Sequence, residues 1–166
     1  MGIQKDFGIK ELKIKNIGLT KMRLYHGSAK KIKGKFLIPK KPHDLGNQKE
    51  NLIKGVYATD VKNSAIAMAI ISSKGVISGT LNYKKKSVIY EGWPKQKYIY
   101  LYHFPIQTFK RTSKESHQLV SKKSVKPIKI EKLNIKDYLK LVRKATKKEI
   151  ENFFKKYKIK RDKKQK

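Results

Sequence analysis

Leu24-Tyr25-His26-Gly27-Ser28 and, some thirty residues on, Gly55-Val56-Tyr57-Ala58-Thr59-Asp60 are the stretches around which the chain is organised. Each is a short apolar run that ends in polar residues. That is the pattern of a buried strand carrying one functional side chain at its end. Gly27 lets a ligand approach the backbone where a Cβ would otherwise stand. The second stretch runs into Asn63-Ser64-Ala65-Ile66-Ala67-Met68-Ala69, small or apolar at nearly every position, so a helix buried around most of its circumference is expected. Thr59 or Asp60 is placed to cap it, since either side-chain oxygen can accept an orphan amide hydrogen.

Outward from this pair, residues 1–20 keep no helical phase and read as a loose lead-in with room for one short strand. Residues 22–25 form the strand entering the core. Residues 29–55 are lysine-rich and hold Pro39 and Pro42, so they read mostly as a loop, and a loop that long in a compact domain is usually functional. Gly75 and Gly79 read as breaks. Strands are expected at 87–91 and 97–104, joined by a turn at Gly92-Trp93-Pro94. In the second of these, Tyr98, Tyr100 and Tyr102 alternate with Ile99, Leu101 and His103. Such a stripe could stack bases, or pair across strands in the core. Strands at 117–121 and 125–131 follow a polar stretch. Asn134 then caps a helix with Ile135, Tyr138, Leu139 and Val142 on one face, and Thr146 with Glu149 forms a capping box for a last helix carrying Ile150, Phe153, Phe154 and Tyr157. The tail from Lys158 is expected to fray. The fold class is α+β, one domain: the lead-in 1–20, a core 21–133 and a C-terminal helical segment 134–166.

The charge is extreme: 43 Lys and Arg against 12 Asp and Glu, a net +31. Such a field attracts phosphate polyanions and makes their binding steeply salt-dependent. Only Arg23, Arg111, Arg143 and Arg161 are arginine, the residue that reads base edges, which argues against sequence-specific DNA reading. AT-rich coding would also supply lysine in excess. Residues 147–166 contribute +7, so most of the charge belongs to the body. There is no cysteine for a disulfide or thiolate site, and the four histidines lack ligand spacing, so no metal is expected. No run is apolar over the length of a membrane span, and the N-terminus has no signal-like apolar region, so a soluble cytoplasmic protein is expected with no membrane partner.

The two opening stretches together resemble the catalytic fold of the poly(ADP-ribose) polymerases and the wider diphtheria-toxin-type ADP-ribosyltransferases. The resemblance is clearest over residues 24–69, and His117-Gln118-Leu119-Val120-Ser121 looks like the strand of the family's third catalytic position. It implies split antiparallel sheets with flanking helices, and NAD as co-substrate. It further implies that His26 bonds the adenosine-side ribose, that Gly27 and Ser28 hold the nicotinamide carboxamide, and that Tyr57 packs the nicotinamide. Gln118 falls where the family usually has glutamate; Glu115 or Glu91 would supply the carboxylate if the strand register differs. The second aromatic of the family is missing, with Ala65 and Met68 in its neighbourhood and Met68 a polarisable substitute. The set His26–Tyr57–Gln118 looks more like that of a mono-transferase than of a polymerase.

Two functions follow. One is an NAD-dependent mono-ADP-ribosyltransferase acting on a nucleic acid or protein. The other is a catalytically degenerate, strongly basic protein on the same fold that binds nucleic acid or another acidic macromolecule. Fold relatives that process RNA 2′-phosphate with NAD rely on arginines and paired histidines, a set this chain lacks. Without the resemblance each residue has a plain reading: His26 structural or surface, Tyr57 core, Gln118 an ordinary strand residue.

Overall fold

The computed structural model describes residues 22–42 and 53–164, with side chains as far as Tyr157. The expected lead-in, the middle of the 29–55 loop and the end of the tail lie outside them. The described part is α+β. Its strands are β1 (Arg23–Ser28), β2 (Val56–Thr59), β3 (Val76–Thr80), β4 (Ser87–Gly92), β5 (Tyr98–Pro105), β6 (Lys110–Arg111), β7 (Gln118–Ser121), β8 (Lys129–Asn134) and β9 (Val142–Lys144). The helices are α1 (Lys62–Ile71) and α2 (Lys147–Lys164), with 3-10 turns at Ile106–Thr108 and Ile135–Leu141. One sheet has six strands in the order β6-β7-β2-β1-β5-β8, and the other three in the order β3-β4-β9. Pairing is mostly antiparallel; β4 and β9 are parallel.

The chain divides into two compact units. The first takes the described residues of Met1–His26, Ile32–Lys62 and Tyr102–Ile130; the second takes those of Gly27–Lys31, Asn63–Leu101 and Glu131–Lys166. In the first, Leu24, Val56, Ala58, Phe104, Phe109, Leu119 and Val120 are buried. Leu37 and Val125, also buried, exchange backbone bonds at 2.8 and 3.0 Å, which ties the loop after β1 to the segment before β8. In the second, Ala65, Ile66, Ala69 and Ile70 of α1 are buried, as are Ile89, Ile99, Leu101, Ile135 and Val142.

Several elements follow the sequence pattern closely. Thr146 and Glu149 form the capping box at the start of α2: the Thr146 N–H donates to Glu149 at 2.8 Å, and the Glu149 N–H donates to the Thr146 hydroxyl at 3.3 Å. Asn134 accepts the Lys136 N–H at 3.1 Å, but the helix it opens is 3-10 and ends where Val142 joins β9 beside Ser87 of β4. Strand pairing has claimed the residue that an α-helix would have kept. The strand expected at 125–131 starts instead at Lys129, because Pro127 has no N–H to offer a ladder. Gly75, at φ +97°, sits in the turn that separates α1 from β3, as a break should. Gly79 does not break the chain but lies within β3, whose irregular register against β4 absorbs it as part of a bulge.

Candidate functional site

His26 lies on β1, which neighbours β2, which neighbours β7. β2 and β7 share four rungs, Val56–Ser121, Tyr57–Val120, Ala58–Leu119 and Thr59–Gln118. β1 and β2 share only Tyr25–Thr59. Beside that rung the His26 ring has Nδ1 2.7 Å from the Tyr57 carbonyl oxygen. A carbonyl only accepts, so Nδ1 carries the proton and a neutral ring leaves Nε2 as an acceptor. Burial is the main influence on the imidazole and pushes its pKa below the ordinary histidine value; the Tyr57 bond pulls the other way without offsetting it. His26 is therefore a neutral side chain with one nitrogen committed. Tyr102, fully buried on β5, meets it edge-on with ring centres 6.2 Å apart. The Tyr102 hydroxyl accepts the Ile32 N–H at 2.7 Å, so the ring that steadies His26 is itself anchored.

Tyr57 and Gln118 share a face of the sheet as diagonal neighbours, a spacing of roughly 7–8 Å. The Tyr57 hydroxyl donates to the Ile53 carbonyl at 2.5 Å, which folds the side chain back along its own strand. Gln118 is half-buried, and its backbone is secured by Thr112 and Ser116. Among the described residues its side-chain amide has no hydrogen-bond partner. His26 meets Tyr57 through its carbonyl, and among the described residues no hydrogen bond joins His26 to Gln118.

The carboxylate that follows β2, Asp60, reads from the sequence only as a candidate helix cap. Asp60 accepts from Arg111 at 2.8 Å and lies 3.1 Å from His117 Nδ1. Burial raises the Asp60 pKa, but the bonds and charges of Arg111 and His117 outweigh it and leave the group below the ordinary carboxylate value. Asp60 therefore does not cap α1. Thr59 accepts the N–H of Val61, one residue short of the helix. The only signal for this cluster is the β2–β7 register, which continued one step sets Asp60 opposite His117. Glu115 is an exposed loop residue, and Glu91 is exposed on β4 in the second unit.

The remaining residues that the resemblance singles out, Gly27, Ser28, Ala65 and Met68, belong to the second unit. A Cβ on Gly27 would stand 1.8 Å from the Ala65 carbonyl oxygen and 3.1 Å from the Ala69 Cβ. The space beside Gly27 is thus filled by α1, and helix packing is the reason a side chain is excluded there. Ser28 donates its hydroxyl to the Lys30 carbonyl at 2.7 Å, closing a local turn. Ala65 is buried under Gly27. Met68 is exposed, with the Ser72 hydroxyl 3.8 Å from its sulfur. The tyrosine stripe divides: Tyr98 is exposed, while Tyr102 is buried with its neighbours on both sides.

What these elements define is an α+β protein with two mostly antiparallel sheets. No family model, curated protein or solved structure matches the chain. Among the described residues no three or more of His, Cys, Asp or Glu are grouped so as to hold a metal ion, and no helix among them is long and apolar enough to cross a membrane.

Proposed function

We propose that the chain is an NAD-dependent mono-ADP-ribosyltransferase acting on a nucleic-acid or protein acceptor. The observation that carries this reading is the neutral His26 ring, with Nδ1 committed to Tyr57 and Nε2 left as an acceptor. An acceptor nitrogen suits a ribose hydroxyl, which always has a hydrogen to donate. The unpartnered Gln118 amide suits a hydroxyl too, since it can donate or accept. In the reaction the bond from C1′ of ribose to the nicotinamide nitrogen breaks, and its electron pair leaves with nicotinamide. A lone pair of the acceptor forms the new bond at C1′, and the acceptor's proton is lost. His26 would hold the adenosine-side ribose, Tyr57 would pack the nicotinamide, and Gln118 would orient the second ribose. Their contribution is positioning. Gln118 brings no charge to the cationic transition state, so slow turnover is expected.

Two facts stand against the carboxamide contacts: α1 fills the space beside Gly27, and the Ser28 hydroxyl is engaged with Lys30. Those two facts favour a second reading, a basic binding protein that has lost turnover. Nicotinamide release from NAD separates the two, measured with protein and nucleic-acid fractions beside His26→Ala. Release that disappears in the variant supports the transferase. No release in any fraction, together with no rise in melting temperature on adding NAD, eliminates it. Gln118→Glu restores charge at the transition state and should raise release by about tenfold or more.

A further inference from the structure

We propose that residues 92–98 of the second unit, with Lys132 and Lys144, form a platform for single-stranded nucleic acid bound without regard to sequence. This segment joins β4 to β5 and carries Trp93, Lys95, Lys97 and Tyr98. Between the end of β4 at Gly92 and the start of β5 at Tyr98 it has no regular structure, but it is firmly tied. The Trp93 N–H donates to the Gly75 carbonyl at 2.9 Å and the Lys95 N–H to the Lys74 carbonyl at 2.8 Å. The Gln96 side chain accepts the Lys74 N–H at 2.8 Å and donates to the carbonyls of Ala29 and Tyr98, each at 2.6 Å. The Lys97 carbonyl accepts the Ile135 N–H at 3.0 Å. Such fastening holds the rings ready and lowers the entropic cost of binding.

The rings it presents are half-buried or exposed, and each is attended by cations. Lys132 stands 4.1 Å and Lys97 5.3 Å from the Tyr98 ring centre, and Lys144 stands 5.5 Å from that of Trp93. Every base has a π-face to stack on such rings, and ammonium groups around them meet the flanking phosphates. An exposed cation–π contact is weaker than a base–aromatic stack, so a base can displace the lysine, which then turns to a phosphate. Arginine, the usual reader of base edges, is absent from the set, which points to binding independent of sequence. An acidic polypeptide would use the charges and leave the ring faces unfilled. The net charge of +31 favours a polyanion over a small ligand.

Trp93 is the sole tryptophan, so its emission reports on the platform directly. The full chain is titrated with an oligothymidylate of about 12 nucleotides, with the matching duplex and with poly-L-glutamate, following both Trp93 emission and anisotropy of labelled oligomer. The single strand should quench Trp93. Tyr98→Ala, with its melting temperature unchanged, should weaken binding by about five- to a hundred-fold. Lys132→Ala with Lys144→Ala should lower the logarithmic salt slope by about 1.4, while Lys84→Ala with Lys85→Ala should leave it alone. Binding without a change in Trp93 emission overturns the proposal. So does an equal slope change from the control pair, tighter binding of the duplex, or equal quenching by poly-L-glutamate. None of these measurements involves NAD or the residues proposed to hold it, so either proposal can fail while the other stands.

Discussion

Replacing Gly27 by alanine tests why the residue after His26 is glycine. The new Cβ would stand 1.8 Å from the Ala65 carbonyl oxygen, where ordinary contact begins near 3.4 Å, so the α1 backbone must retreat by about 1.6 Å. Inserting one carbon into a packed core costs about 1–3 kcal/mol when side chains can shift. Here the obstacle is backbone in a helix buried at Ala65, Ile66, Ala69 and Ile70, so the cost should reach about 3 kcal/mol or more. For a chain of this size that is a fall in melting temperature of about 6–12 °C, read by thermal circular dichroism with no ligand present. Gly34→Ala is the control: Gly34 has φ +93° and nothing within 4 Å of where an alanine Cβ would stand, so only backbone strain is added. That strain costs about 1–2 kcal/mol, and the control should melt closer to the parent. If Gly27→Ala melts within about 2 °C of the parent, the packing argument is wrong. Ligand approach would then be the better account of this glycine.

Three further expectations follow from the same geometry. His26 has a pKa below its ordinary value, so on acidification the unfolded chain takes up a proton first; stability is complete above about pH 6.5 and falls as the pH drops below it. His26→Asn should remove that part of the slope, at most about 1.4 kcal/mol per pH unit, in urea melts taken across pH 5–7. Asp60 is held below the ordinary carboxylate value, so its contribution is present above about pH 4 and is lost as the pH falls through the folded value. Asp60→Asn should cost about 0.5–1 kcal/mol at neutral pH and flatten the acid limb; an unchanged acid limb would count against the Arg111–Asp60–His117 contacts. Thr146→Ala removes one half of the α2 capping box and should cost about 1 kcal/mol, seen as reduced helical signal and faster amide exchange at residues 147–150. The other half is subject to pH, because the Arg143 bonds, first, and the Thr146 N–H hold Glu149 at about 2. The cap should therefore persist until strongly acid pH.

Sequence alone was enough for the elements whose physics is local. The apolar runs ending at His26 and Thr59 are strands, the small-residue stretch after them is a buried helix, and Thr146 with Glu149 opens the last one, since each depends on neighbours within a few residues. Where elements compete for the same residues, tertiary structure decided. Val142 went to β9 because β4 offered it a ladder, and Gly79 entered β3 because a bulge could absorb it. The site divides in the same way. His26 and Tyr57 stand out in the sequence, but the bond that fixes the His26 tautomer joins residues 31 apart and depends on how β1 meets β2. Asp60, Arg111 and His117 look like unrelated charges until β7 pairs with β2 and β6 with β7. Gly27 carries the same lesson: a glycine in sequence says only that a side chain is unwelcome. Which atoms exclude it is a matter of packing, and here they belong to Ala65 and Ala69.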